Sequence, residues 1–64
     1  MVQINGEMKN AAGCLMKEYL LEEGYRMDTI AVELNKEILP KKEYANTLLK
    51  DNDVIEIINF VRGG

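Results

Sequence analysis

The chain has 64 residues, a hydrophobic fraction of 47% and a formal net charge of −3, enough for one small core and too apolar for a disordered segment. One cysteine and no histidine rule out a disulfide scaffold and the usual zinc ligand sets within one chain. No apolar run nears the roughly 20 residues of a membrane span, and no basic stripe is present to replace counterions along nucleic-acid phosphates.

Residues 1–5 read as a strand with Val2 and Ile4 on one face. Asn5-Gly6 follows, the pair that best tolerates the two positive φ angles of a tight hairpin turn. Residues 7–11 are expected to return antiparallel with Met8 facing inward and Glu7 and Lys9 outward. Over residues 14–23 the period changes: Leu15, Met16, Tyr19 and Leu20 recur at helical spacing, opposite Lys17, Glu18, Glu22 and Glu23. Gly24 stands where a helix ends, since glycine enters the left-handed region without a Cβ penalty.

Alternation resumes over residues 29–34, and Asn35-Lys36 is a turn into a short strand, residues 37–39, which Pro40 ends by withholding a backbone donor. Residues 41–45 form one helical turn. The polar run Lys50-Asp51-Asn52-Asp53 leads into residues 54–61, the most apolar segment, whose apolar side chains occupy both alternation phases. That pattern predicts a strand buried on both faces. Hairpin, helix, strands and a final central strand beside the first describe an α+β domain, with one main helix on one face of a mixed sheet.

The last strand runs directly into Arg62-Gly63-Gly64. Two residues without side chains can thread a narrow channel and let a partner's backbone approach closely. Four extended residues beyond Phe60 project roughly 13–14 Å, at about 3.3–3.6 Å each. An α-carboxyl with a pKa of about 3.3–3.7 is ionised at neutral pH and a poor electrophile. A partner must therefore activate it before a nucleophile can attack, and glycine leaves the reacting carbonyl uncrowded.

The chain resembles the ThiS family of thiamine-pathway sulfur carriers, which are ubiquitin-like β-grasp proteins. The resemblance runs through Ile4-Asn5-Gly6-Glu7, Leu20-Leu21-Glu22-Glu23-Gly24, Ala31-Val32-Glu33-Leu34-Asn35 with Ile38-Leu39-Pro40, and Ile55-Glu56-Ile57-Ile58 leading to Gly63-Gly64. It departs at Asp51-Asn52-Asp53, where the family often has glycine in the middle, and at Cys14-Leu15, where a small polar or β-branched pair is usual. The resemblance implies a single domain, residues 1–64, with a globular body over 1–61 and a flexible tail, 62–64. It implies a non-enzymatic protein whose Gly64 is adenylated by a ubiquitin-activating-type enzyme using ATP and magnesium. A cysteine desulfurase persulfide then supplies sulfur, and the Gly64 thiocarboxylate donates it to thiazole synthase. No cofactor is expected on this chain, and the absence of a signal-peptide pattern leads to an expectation of cytoplasmic location. The small subunit of molybdopterin synthase, a ubiquitin-like protein modifier and a plain β-grasp binding module with an inert tail are the alternatives.

Among the remaining residues, Arg62 and Gly63 are expected to enter partner active sites with Gly64. Ile58, Phe60 and Val61 are candidates for a docking patch beside the tail, the alternative being core positions. Cys14 is read as a packing residue rather than a persulfide relay, because free cysteine is usually buried. Asp51 and Asp53 are read as a solvated turn rather than a paired-carboxylate site.

Overall fold

The computed structural model describes residues 1–60. Strand β1, Val2–Ile4, turns at Asn5-Gly6 into β2, Glu7–Lys9. Both turn residues have positive φ, 51° and 83°, so Asn-Gly sits where such a turn demands it. Helix α1, Met16–Glu22, follows. A short 3₁₀ turn, Met27–Thr29, then feeds β3, Ile30–Leu34, which turns at Asn35-Lys36 into β4, Glu37–Leu39. After Pro40 comes a second 3₁₀ segment, Lys41–Asn46, and the last strand is β5, Val54–Asn59.

The strands form one sheet in the order β2-β1-β5-β3-β4. β1 and β5 are parallel, and the other neighbours are antiparallel. The sheet is therefore two hairpins laid on either side of β5. Val2, Ile4, Ile30, Val32, Ile55 and Ile57 point to one face and pack with Met16, Tyr19 and Leu20 of the helix. Ala11, Tyr44 and Leu49 complete that core. Leu20 is fully buried, and truncating such a leucine to alanine typically costs about 2–5 kcal/mol.

The helix is shorter than its periodicity predicts, and its first turn has no side-chain cap. Its N-terminus is satisfied by the chain instead: the Met16 N–H donates to the Thr47 carbonyl at 2.7 Å. Cys14 and Gly13 exchange further backbone bonds with Leu49 at 2.8 Å each. The unusual Cys14-Leu15 opening is thus tolerated because residues 47–49 take the place of a capping side chain. At the other end Gly24 has φ 87°, its N–H bonding Leu21 and the Tyr25 N–H bonding Leu20. That is the expected left-handed termination, with Tyr25 folded back onto the core.

Two expectations fail together. Met8 is 59% exposed rather than inward-facing, and β5 is buried on one face only, with Glu56 and Ile58 exposed. Both follow from a sheet covered by a helix on one side and open on the other. Met8 pairs with Gln3, whose side chain lies opposite to those of Val2 and Ile4.

Candidate functional site: the outgoing end of the last strand

β5 occupies the centre of the sheet, and its C-terminal end is the route to the tail. Side chains from both hairpin turns hold it. β1 leaves the sheet at Asn5, its register with β5 having covered only Gln3↔Val54 and Ile4↔Ile55. The Asn5 N–H still bonds the Ile55 carbonyl at 2.9 Å, and its side-chain Oδ1 accepts the Ile57 N–H at 2.7 Å. On the other side, Asn35 Oδ1 accepts the Val54 N–H at 2.9 Å, while its backbone N–H donates to the Val54 carbonyl at 2.7 Å. Both asparagines have positive φ, 51° and 53°. Each therefore serves twice, by accepting a left-handed backbone and by continuing a ladder that the turn would interrupt.

The turn before β5 is tied down through the same Asn35. Its Nδ2 donates to Asp53 Oδ1 at 3.0 Å, and the Lys50 N–H donates to Asp53 Oδ2 at 2.9 Å. Asp53 is only 7% exposed, which corrects the reading of Asp51 and Asp53 as an equally solvated pair. Asp51 is exposed, whereas Asp53 is a structural acceptor. Asn52 between them has φ 74°, so asparagine fills the left-handed position often taken by glycine.

Beyond β5 the Phe60 N–H donates to the Thr29 carbonyl at 2.9 Å, keeping the chain on β3 one residue past the strand. Ile58 and Phe60 are 48% and 49% exposed, so two of the three predicted docking positions lie on the surface rather than in the core. Val61, Arg62, Gly63 and Gly64 lie outside the described residues. Cys14 is exposed, contrary to the expected packing role. The loop before the helix meets residues 47–49 through its backbone, leaving the thiol outside. Tyr19 and Tyr44, both buried, have phenols raised above the ordinary 10.0, in each case first by burial. Both belong to the core beneath the sheet.

Sequence reasoning missed the two asparagine acceptors. The available signal was asparagine in the first position of each two-residue turn, read there only as a backbone preference.

A five-stranded mixed sheet gripping one helix, with the central strand delivering the C-terminus, defines a ubiquitin-like β-grasp domain. A crystal structure of the thiamine biosynthesis protein ThiS from Geobacter metallireducens superposes with a TM-score of 0.74 at 28% identity. That match covers 98% of this chain and 97% of the other. The sulfur carrier protein ThiS of Thermus thermophilus is 38% identical over 64 residues, covering all of both chains. That of Bacillus subtilis is 41% identical over a 70-residue alignment, again covering all of both. A thiazole synthase from Paramagnetospirillum magneticum is 44% identical over 62 residues, but the chain spans only 19% of its length. The ThiS family profile matches residues 2–64, and the chain belongs to the ThiS family.

Proposed function

We propose that this chain is a sulfur carrier for the thiazole branch of thiamine biosynthesis, with the Gly64 carboxylate as its reactive group. The observation that carries the reading is the end-to-end match with ThiS sulfur carriers, combined with a central last strand, Val54–Asn59, after which the sequence closes in Arg62-Gly63-Gly64. The body presents the tail, and the chemistry occurs in partners, so the chain is not an enzyme in its own right.

In the first step a Gly64 carboxylate oxygen attacks the α-phosphorus of ATP, held with magnesium by an adenylating enzyme, and pyrophosphate leaves. The terminal sulfur of a cysteine desulfurase persulfide then attacks the acyl carbon and displaces AMP, leaving an acyl disulfide. A second thiol attacks the partner's sulfur, closing a disulfide between the two thiols and releasing the Gly64 thiocarboxylate. Thiazole synthase takes that sulfur. The segments of two thiazole synthases that align with this chain favour that acceptor over molybdopterin synthase. Arg62 and Gly63 enter the partner's channel ahead of the body.

The test is incubation with the adenylating enzyme, ATP, magnesium, cysteine desulfurase, cysteine and a thiol reductant. Mass spectrometry of the intact protein and its C-terminal peptide should show one oxygen replaced by sulfur at Gly64. Sulfur on Cys14 with an unmodified terminus would overturn the proposal.

A further inference from the structure

The open face of the sheet carries a charge pattern that the fold does not need. On the two central antiparallel strands Glu33 stands directly opposite Glu56, and strand alternation puts both on the face away from the helix. Directly opposed residues have Cβ atoms about 4.5–5.5 Å apart, and like charges there are destabilising. Among the described residues neither glutamate takes part in an ion pair. On the β3–β4 side and farther along β5 the neighbours on that face are apolar, whereas β1 contributes Gln3 beside Val54. Ile38, opposite Glu33 on β4, is 67% exposed, and Ile58, opposite Ala31, is 48% exposed.

The pattern decides what can cover this face. A second copy packed face to face would bring four carboxylates together inside an apolar contact, where uncompensated charge is costly. A wholly apolar partner would bury the same two charges unpaired. A partner with a cation at the centre of an apolar rim would remove the repulsion and bury Ile38 and Ile58 at once. Arginine fits best, because its planar fork reaches two carboxylates together.

We propose that the Glu33–Glu56 pair is the specificity element of the docking face, and that it receives an arginine or lysine set among apolar side chains on the enzyme that adenylates the tail. This inference rests on the sulfur-carrier reading and adds the chemistry of the contact. It also accounts for a fold that keeps an unfavourable pair on its central strands: the cost in the free domain becomes discrimination in the complex.

The test compares Glu33→Gln/Glu56→Gln with Glu18→Gln/Glu22→Gln, which removes the same net charge from the helix side. Affinity of the full chain for the purified adenylating enzyme is measured at several salt concentrations, alongside melting temperature and thiocarboxylate yield at limiting carrier. The sheet variant should melt at or above the wild-type temperature, bind at least tenfold more weakly, and show a shallower salt dependence. The helix variant should bind within about twofold of wild type, as rim charges remote from a contact do. Equal weakening by both variants would reduce the effect to net charge and overturn the inference. Wild-type binding by the sheet variant, accompanied by self-association, would overturn it too, leaving the glutamates as a guard against stacking of the open face. In both cases a normally loaded wild type leaves the carrier reading standing. A wild type that the enzyme neither binds nor loads defeats both.

Discussion

Replacing Asn5 separates the two contributions assigned to it. Asn5→Ala removes the acceptor of the Ile57 N–H and places a Cβ-bearing residue with no compensating side chain at φ 51°. An unsatisfied, partly buried donor costs about 1–3 kcal/mol, and the left-handed backbone adds about 1–2 kcal/mol. The expected loss is about 2–5 kcal/mol against a total of roughly 3–10 kcal/mol for a domain of this size. At about 4–8 °C per kcal/mol the midpoint should fall by about 8–40 °C. Asn5→Gly relieves the backbone but not the orphaned N–H, so it should cost about 1–3 kcal/mol. Asn5→Asp keeps both an acceptor and turn tolerance and should remain within about 1 kcal/mol of wild type. Urea titration measures the three values, and amide exchange at Ile57 reports the bond itself. If Asn5→Gly proves as stable as wild type with Ile57 still protected, the asparagine side chain is not what holds β5.

Removing Gly63 and Gly64 should leave the melting temperature nearly unchanged while abolishing thiocarboxylate formation, read by intact mass, since residues past a strand add little packing. Cys14→Ser should change neither stability nor loading by more than experimental scatter, because the thiol is exposed and the proposed reaction draws its persulfide from the desulfurase. Lys36→Gly should stabilise the domain by up to about 1 kcal/mol in urea titrations, as Lys36 holds φ 73° in a turn that favours glycine. Burial raises Tyr19 and Tyr44 above 10.0, so the unfolded chain releases those protons first as pH rises. Their contribution to stability should be complete below about pH 10 and decline as pH climbs through the folded-state values, and Tyr44→Phe should lessen that decline in denaturation curves collected across the range.

Much of the architecture was readable because local and global preferences agree. Asn5-Gly6, the helical period ending at Gly24 and the Pro40 stop each have one comfortable conformation, and the sheet uses all three. What could not be read was which face of the sheet the helix covers. Apolar side chains on both phases of residues 54–61 suggested burial on two sides. In the structure Ile55 and Ile57 meet the helix, whereas Ile58 and Phe60 stay outside. Alternation reports that two faces differ, not which one is roofed, and the same ambiguity misplaced Met8. Cys14 escaped for another reason: its exposure depends on the pairing of residues 13–16 with residues 47–49, which local pattern does not encode. At the candidate site, exposure of Ile58 and Phe60 fits the docking expectation, while the tail residues proposed to carry the chemistry lie outside the described residues.

The placement of β5 has a mechanical consequence. A pull on the tail enters the body at Phe60 and runs along the axis of the strand at the middle of the sheet. Its neighbours on both sides, β1 in parallel and β3 in antiparallel, are bonded across that axis. The load therefore shears two ladders and both asparagine clamps simultaneously, instead of peeling bonds one after another. A partner that grips the C-terminus or drags it through a channel works against a body that yields only as a whole. In single-molecule stretching between residue 1 and the C-terminus, this arrangement should give one abrupt rupture, and Asn5→Gly should lower its force.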